Sequence, residues 1–179
     1  MRAALALGAL LAACTQPAAD GAPTFPEDAA APGSGAFLLV PEDEELAELL
    51  ERADASWERV GVAPDRIRIG APGDAGGMLV SWWSSAAITE KCAPDGHAIG
   101  CLDRWADGLL VAFDAPAETL PMVVRHEMGH ALRLDSEAWH LDCADPSEGT
   151  MCSAPTPAVE VTEADVAFVC GSAAAPCER

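Results

Sequence analysis

The chain has 179 residues, half of them hydrophobic, which suits one compact domain with a sizeable core and not two large domains. Its 29 acidic and 10 basic side chains give a formal net charge of −19, which repels nucleic-acid phosphates and anionic lipid surfaces. We therefore expect no nucleic-acid partner, and the acidity indicates a well-solvated surface.

The first 14 residues, MRAALALGALLAAC, have the pattern of an export signal: one arginine, an apolar run, then small residues. The run is too short for a membrane-spanning helix, which needs about 20 apolar residues. Its last four residues, LAAC, resemble the lipobox of bacterial lipoproteins, which implies cleavage before Cys14 and a lipid on that cysteine. An ordinary signal peptide with an incidental cysteine is the alternative. We expect an exported protein, lipid-anchored in a bacterial cell envelope on its periplasmic or cell-surface face, with no other membrane contact.

The segment at 15–35 consists of alanine, proline, glycine and acidic residues with little to bury, which is typical of a flexible tether. The folded domain is predicted at 36–179, and its class is α+β. The predicted elements, in chain order, are a strand at 36–40, an amphipathic helix at 44–60, strands at 66–69 and 78–83, a weaker strand near 97–102, a strand at 108–113, and helices at 116–134 and from Thr162. Thr162 and Asp165 have the spacing of a capping box at the start of the last helix.

Seven cysteines are present, and reserving Cys14 for lipid leaves six, an even number that suits three disulfides in an exported protein. Closeness in sequence predicts the pairs Cys92 with Cys101, Cys143 with Cys152, and Cys170 with Cys177. Zinc binding by these thiols is the rival interpretation, but no C-x-x-C pair occurs.

The segment HEMGH at 126–130 carries the strongest functional signal. His126 and His130 lie four residues apart on a predicted helix, so that both imidazoles project from one face about one turn apart. One zinc ion can contact both. Glu127 is placed to act as the general base on a water held by the same ion.

A catalytic zinc ion usually has three protein ligands and one open position. The candidates for the third ligand are His97, Asp135, His140, Asp142 and Glu148. Only His140 is an imidazole soon after the helix, and for His97 a structural role is favoured. Asp135 and Asp142 are the alternatives, because carboxylate oxygens also bind zinc.

The sequence HEMGHALRLDSEAWH at 126–140, followed by GTMC at 149–152, resembles the metzincin metallopeptidases, and within them the matrixin-like branch. In that clan H-E-x-x-H-x-x-G-x-x-H precedes a methionine-containing turn beneath the metal, a position that Met151 matches. The segment VTEADVAFVCG at 161–171 resembles the closing helix. The resemblance implies a small catalytic domain with a mixed twisted sheet, an active-site helix that carries HExxH, and a C-terminal helix.

Two positions depart from the family pattern: Arg133 replaces its glycine, and Ser136 replaces its third histidine. Arginine disfavours the left-handed backbone that glycine permits, so we expect the helix to continue for about one more turn. His140 follows His126 by 14 residues, against 10 in the family pattern, and the excess of four is close to one helical turn. This favours His140 as the third ligand, with Asp135 and Asp142 as the alternatives.

The resemblance implies a monomeric zinc endopeptidase that uses a zinc-activated water with Glu127 as general base to cleave a peptide or protein substrate. The peptide would lie extended beside an edge strand near 97–102. Two other hypotheses stay open: a non-catalytic surface lipoprotein with a structural or vestigial zinc site that binds a partner, and a disulfide-stapled interaction module without metal.

Overall fold

The computed structural model describes residues 37–64, 66–94, 96–103, 108–132, 140–153 and 155–170. The predicted signal peptide and tether lie outside these residues. The described part is α+β, as predicted. Its strands are β1 (Phe37–Pro41), β2 (Ile67–Ile69), β3 (Met78–Trp83), β4 (Gly100–Asp103) and β5 (Gly108–Ala112), and its helices are α1 (Glu44–Val60), α2 (Ser85–Cys92), α3 (Leu120–Leu132) and α4 (Glu163–Cys170).

The five strands form one mixed sheet in the order β2-β1-β3-β5-β4. The pairs β1–β2, β1–β3 and β3–β5 are parallel, and only β4 runs antiparallel to its neighbour, β5. Among the described strands, β4 therefore lies at one end of the sheet. Helix α3 contacts β4, β5, α1 and α4, and its residues from Met122 to Leu132 are buried.

Helix α1 forms where the apolar spacing predicts it, with the predicted bounds. Asp43 caps its start by accepting a hydrogen bond from Leu46 N–H at 2.9 Å. Gly61 ends it with a φ of 123°, a backbone conformation that favours glycine. Its buried stripe includes Leu50 and Trp57, and the Trp57 indole donates to the Arg125 carbonyl on α3 at 3.1 Å. Helix α1 thereby braces α3 one residue before His126.

Three elements differ from their predictions by more than one residue at an end. Helix α3 begins at Leu120 instead of residue 116, because Pro121 has no N–H to bond backwards and is tolerated only in a first turn. Strand β4 begins at Gly100, three residues later than the predicted start at residue 97. The Ala98 N–H bonds to the Thr89 hydroxyl at 2.9 Å, so it is not available to a strand partner. Helix α2 was not predicted.

The predicted disulfides Cys92–Cys101 and Cys143–Cys152 are both present. Cys170 is also disulfide-bonded, while its predicted partner, Cys177, lies outside the described residues. Within the described ranges, none of the helices combines the length and apolar content that crossing a bilayer requires.

Asp54 on α1 is a half-buried carboxyl whose replacement we expect to stabilise the fold. Burial, and then the neighbouring Glu58 carboxylate, raise the pKa of Asp54 to about 6. The folded state therefore binds this proton more tightly than the unfolded chain does, and the resulting stability is present below about pH 4 and lost as pH rises through about 6. We expect Asp54→Asn to raise Tm by about 3 °C at pH 7, after allowing for solvent screening, and to leave it nearly unchanged at pH 4. Thermal unfolding at both pH values, with exposed Glu51→Gln on the same helix as control, measures this; an equal shift at both pH values would contradict it.

Candidate metal centre

Three imidazoles converge beside α3, those of His126, His130 and His140. One ligand nitrogen from each lies within 4.8 Å of the others. The ring centroids are 4.7 Å apart for His126 and His130, 5.2 Å for His126 and His140, and 4.9 Å for His130 and His140. His126 and His130 are buried on α3, and His140 approaches them from a later segment. The structure thus brings together the three histidines that the sequence analysis named.

The ring nitrogens of the two α3 histidines are arranged as metal ligands require. Nε2 of His126 and Nε2 of His130 are 3.1 Å apart, close to the separation of about 3.3 Å expected for two nitrogens of a tetrahedral zinc site. Nδ1 of His126 lies 2.6 Å from the Thr150 carbonyl oxygen, to which it donates. That bond fixes the tautomer and leaves the Nε2 lone pair directed at the cluster.

The surroundings also favour the neutral form of two of the three imidazoles, those of His126 and His140. Burial lowers the pKa of His126, and burial together with the nearby His126 lowers the pKa of His140 to about 4. Neutral imidazole is the form that binds metal. The residues therefore fit a divalent ion, and the cluster could hold one.

The other candidates for the third ligand that the structure describes do not join this cluster. His97, Asp142 and Glu148 are exposed, and Glu148 accepts hydrogen bonds from the backbone N–H groups of Ala144 and Asp145. Asp135 lies outside the described residues, as does the helix extension expected from Arg133.

Glu127 is buried on α3 against strand β4. The Leu102 N–H donates to its carboxyl group, but burial is the larger influence and raises the pKa of Glu127 to about 8. The approach depends on Gly100, since a Cβ there would lie 2.5 Å from Val123 Cγ1 and 2.8 Å from Glu127 Oε1. Sequence reasoning named Glu127 but missed Gly100, for which the only signal was a glycine at the start of a weak strand.

Gly129, inside the HEMGH segment, permits close packing beneath the cluster. A Cβ at this position would overlap Met151 Sδ and would lie 2.8 Å from Trp57 Cζ2. Met151 is fully buried. The glycine therefore allows α3 to pack directly on Met151 and Trp57.

Asp165 anchors the turn at 149–152 that contains Met151, called the methionine turn below, a role that its capping position did not predict. Fully buried, it accepts hydrogen bonds from Thr150 N–H at 3.0 Å and Met151 N–H at 2.7 Å. It also accepts from Thr162 N–H at 2.8 Å, and the Thr162 hydroxyl oxygen accepts from Asp165 N–H at 3.3 Å, a reciprocal pair that confirms the predicted capping box. A Cβ on Gly149 would lie 2.5 Å from Asp165 Oδ1. The carboxylate thus holds the segment whose Thr150 carbonyl orients His126.

No family model, curated protein sequence or solved structure matches this chain. Fold and site define an α+β protein with a three-histidine cluster suited to a metal ion and a buried carboxyl group beside it.

Proposed function

We propose that this protein is a zinc-dependent endopeptidase of the metzincin type, closest to the matrixin-like branch. The supporting observation is the convergence of His126, His130 and His140 on one point, with Glu127 on the helix that carries two of them. Three imidazoles with one open position are the usual donor set of a catalytic zinc site. The family resemblance agrees with three features of the site: the HExxH segment on α3, His140 after it, and the buried Met151 in its turn.

Zinc, when bound by the three imidazoles, supplies a Lewis acid that polarises a carbonyl group and makes water acidic near neutral pH. Glu127 accepts the proton of the attacking water and passes it to the leaving amine. A nearby cation favours the charged form of a carboxyl group, which offsets the effect of burial on Glu127. The chain has no tyrosine, so oxyanion stabilisation is left to the ion and to backbone N–H groups.

Strand β4 is the proposed platform for an extended peptide. The Ala112 N–H donates to the Ile99 carbonyl at 2.9 Å, which fixes the β4 residues whose backbone N–H and C=O groups point towards β5. Since antiparallel pairs alternate, Cys101 also faces β5, and the backbone groups of Gly100 and Leu102 point away from it. The Leu102 N–H is already bonded to the Glu127 carboxyl group, so an added peptide would bond to Gly100 and to the Leu102 carbonyl. A peptide that adds to this edge of the sheet would pass beside Glu127.

Metal content and peptide cleavage together test the proposal. We expect purified protein to contain about one zinc per chain and to cleave internal bonds in a mixed peptide library, to lose cleavage on chelation and to regain it when zinc is restored. Elemental analysis and mass spectrometry of the products measure both properties. Zinc without cleavage would favour the non-catalytic zinc-binding lipoprotein, and absence of metal would favour the disulfide-stapled module.

A further inference from the structure

His140 differs from the other two imidazoles in how it is held. His126 and His130 belong to α3, which is buried from Met122 to Leu132 and braced by α1. His140 lies outside the described helices and strands, next to Leu141. Within the part of the chain that the structure describes, the contacts adjacent to His140 are made by the residues that follow it.

The residue after His140 contacts the methionine turn through its backbone. Leu141 N–H donates to the Met151 carbonyl at 2.9 Å, and Leu141 forms an isolated parallel bridge with Cys152. Two residues further on, Cys143 is disulfide-bonded to Cys152, with 5.7 Å between the Cα atoms. The disulfide joins the segment that carries His140 to the same residue that the bridge contacts.

The side chains between the two cysteines make local contacts. Positions 144–148 are exposed, and the side-chain hydrogen bonds there include those from Ser147 to Asp145 and from Ala144 N–H to Glu148. The other end of the disulfide is fixed, because Met151 and Cys152 are buried and Asp165 accepts the Met151 N–H. Leu141 also packs against the core, and the Pro146 carbonyl accepts a hydrogen bond from Thr156 N–H at 3.3 Å. Single backbone hydrogen bonds are weak against the chain entropy of a ten-residue loop, so the disulfide, as the covalent link to the turn, is a strong restraint on this segment.

We propose that the Cys143–Cys152 disulfide is a positioning element for the third metal ligand, so that the affinity of the centre for zinc depends on the redox state of this bond. The inference rests on the proposed metal centre but not on peptidase activity. Reduction would leave the two α3 histidines in place and release His140 from the methionine turn. Residues that orient metal ligands typically contribute about 10- to 100-fold to metal affinity.

The Cys143→Ala/Cys152→Ala double variant tests the proposal, with Cys92→Ala/Cys101→Ala as a matched control. Both disulfides have a sequence separation of 9, but the second joins α2 to β4 and has no part in holding His140. We expect the Kd for Zn²⁺, measured by competition with a chromophoric chelator, to rise about 10- to 100-fold in the first variant and less than about 3-fold in the control. Equal Kd values for wild type and the first variant, or equal losses in both variants, would overturn the proposal.

A His140→Ala background separates positioning from general structural damage. If the disulfide acts through His140, its removal in this background should change the remaining Zn²⁺ affinity by less than about 3-fold, because interacting residues are not additive. A full additional loss would show that the disulfide acts elsewhere and overturn the proposal.

Should the double variant fail to fold, wild type can be partly reduced with a phosphine, alkylated and mapped by mass spectrometry alongside its zinc content. Zinc loss must follow the opening of Cys143–Cys152; loss that follows Cys92–Cys101 overturns the proposal. If the wild-type protein binds no zinc, both this inference and the proposed function are wrong. Zinc binding without cleavage defeats only the peptidase proposal, and unchanged affinity without the disulfide defeats only this inference.

Discussion

Glu127→Gln is expected to lower kcat for peptide cleavage by about 10²- to 10⁴-fold, the contribution typical of a positioned general base. Glutamine has nearly the same shape, so it fills the space against Gly100 and keeps an oxygen that can accept the Leu102 N–H. It cannot accept the proton of an attacking water. The metal cluster consists of His126, His130 and His140 and does not include Glu127, so the zinc content should stay near that of wild type. Initial rates on a cleavable library peptide and elemental analysis of the same sample measure the two quantities.

The matched control is Glu118→Gln, which makes the same chemical change at an exposed position shortly before α3. It should retain wild-type cleavage and zinc. Cleavage by Glu127→Gln within about 10-fold of wild type, with metal bound, would remove Glu127 from the role of general base. Loss of zinc from Glu127→Gln would instead show that the carboxyl group helps to hold the ion.

The elements predicted best are those that one local pattern determines. Helix α1 combines an apolar stripe with an aspartate cap, and β3 is an apolar run rich in aromatic residues, so both have the predicted bounds. Helix α2 was missed because its pattern is short: Ser84 caps it, but only Ile88 and Cys92 are buried. Its position is stabilised by tertiary contacts that a sequence window does not contain, such as the disulfide between Cys92 and Cys101.

The same distinction applies to the candidate site. The i, i+4 spacing places His126 and His130 together on any helix, whereas the approach of His140 depends on a turn that is remote in sequence. Asp165 shows the limit most clearly: its capping pattern concerns only Thr162, yet its carboxylate also holds the methionine turn. Long-range hydrogen bonds of this kind leave no periodic signal.

His140→Ala is expected to weaken zinc binding by more than about 100-fold, a larger loss than orienting residues usually cause. The structure gives the reason, because one nitrogen of His140 lies within 4.8 Å of the ligand nitrogens of His126 and His130. Two imidazoles one helical turn apart would remain, which is one ligand fewer than a catalytic zinc site usually has. Chelator competition measures the Kd, and elemental analysis of dialysed protein gives an independent check.

Asp142→Ala serves as the control for His140→Ala, since Asp142 is exposed and only two residues away. It should bind zinc with nearly wild-type affinity. Full zinc retention by His140→Ala, combined with loss in Asp142→Ala or Asp135→Ala, would transfer the third-ligand role to a carboxylate while leaving the enzyme class open. If every one of the three variants retained zinc, none of these three side chains would be the third ligand, and the proposed three-histidine centre would be wrong.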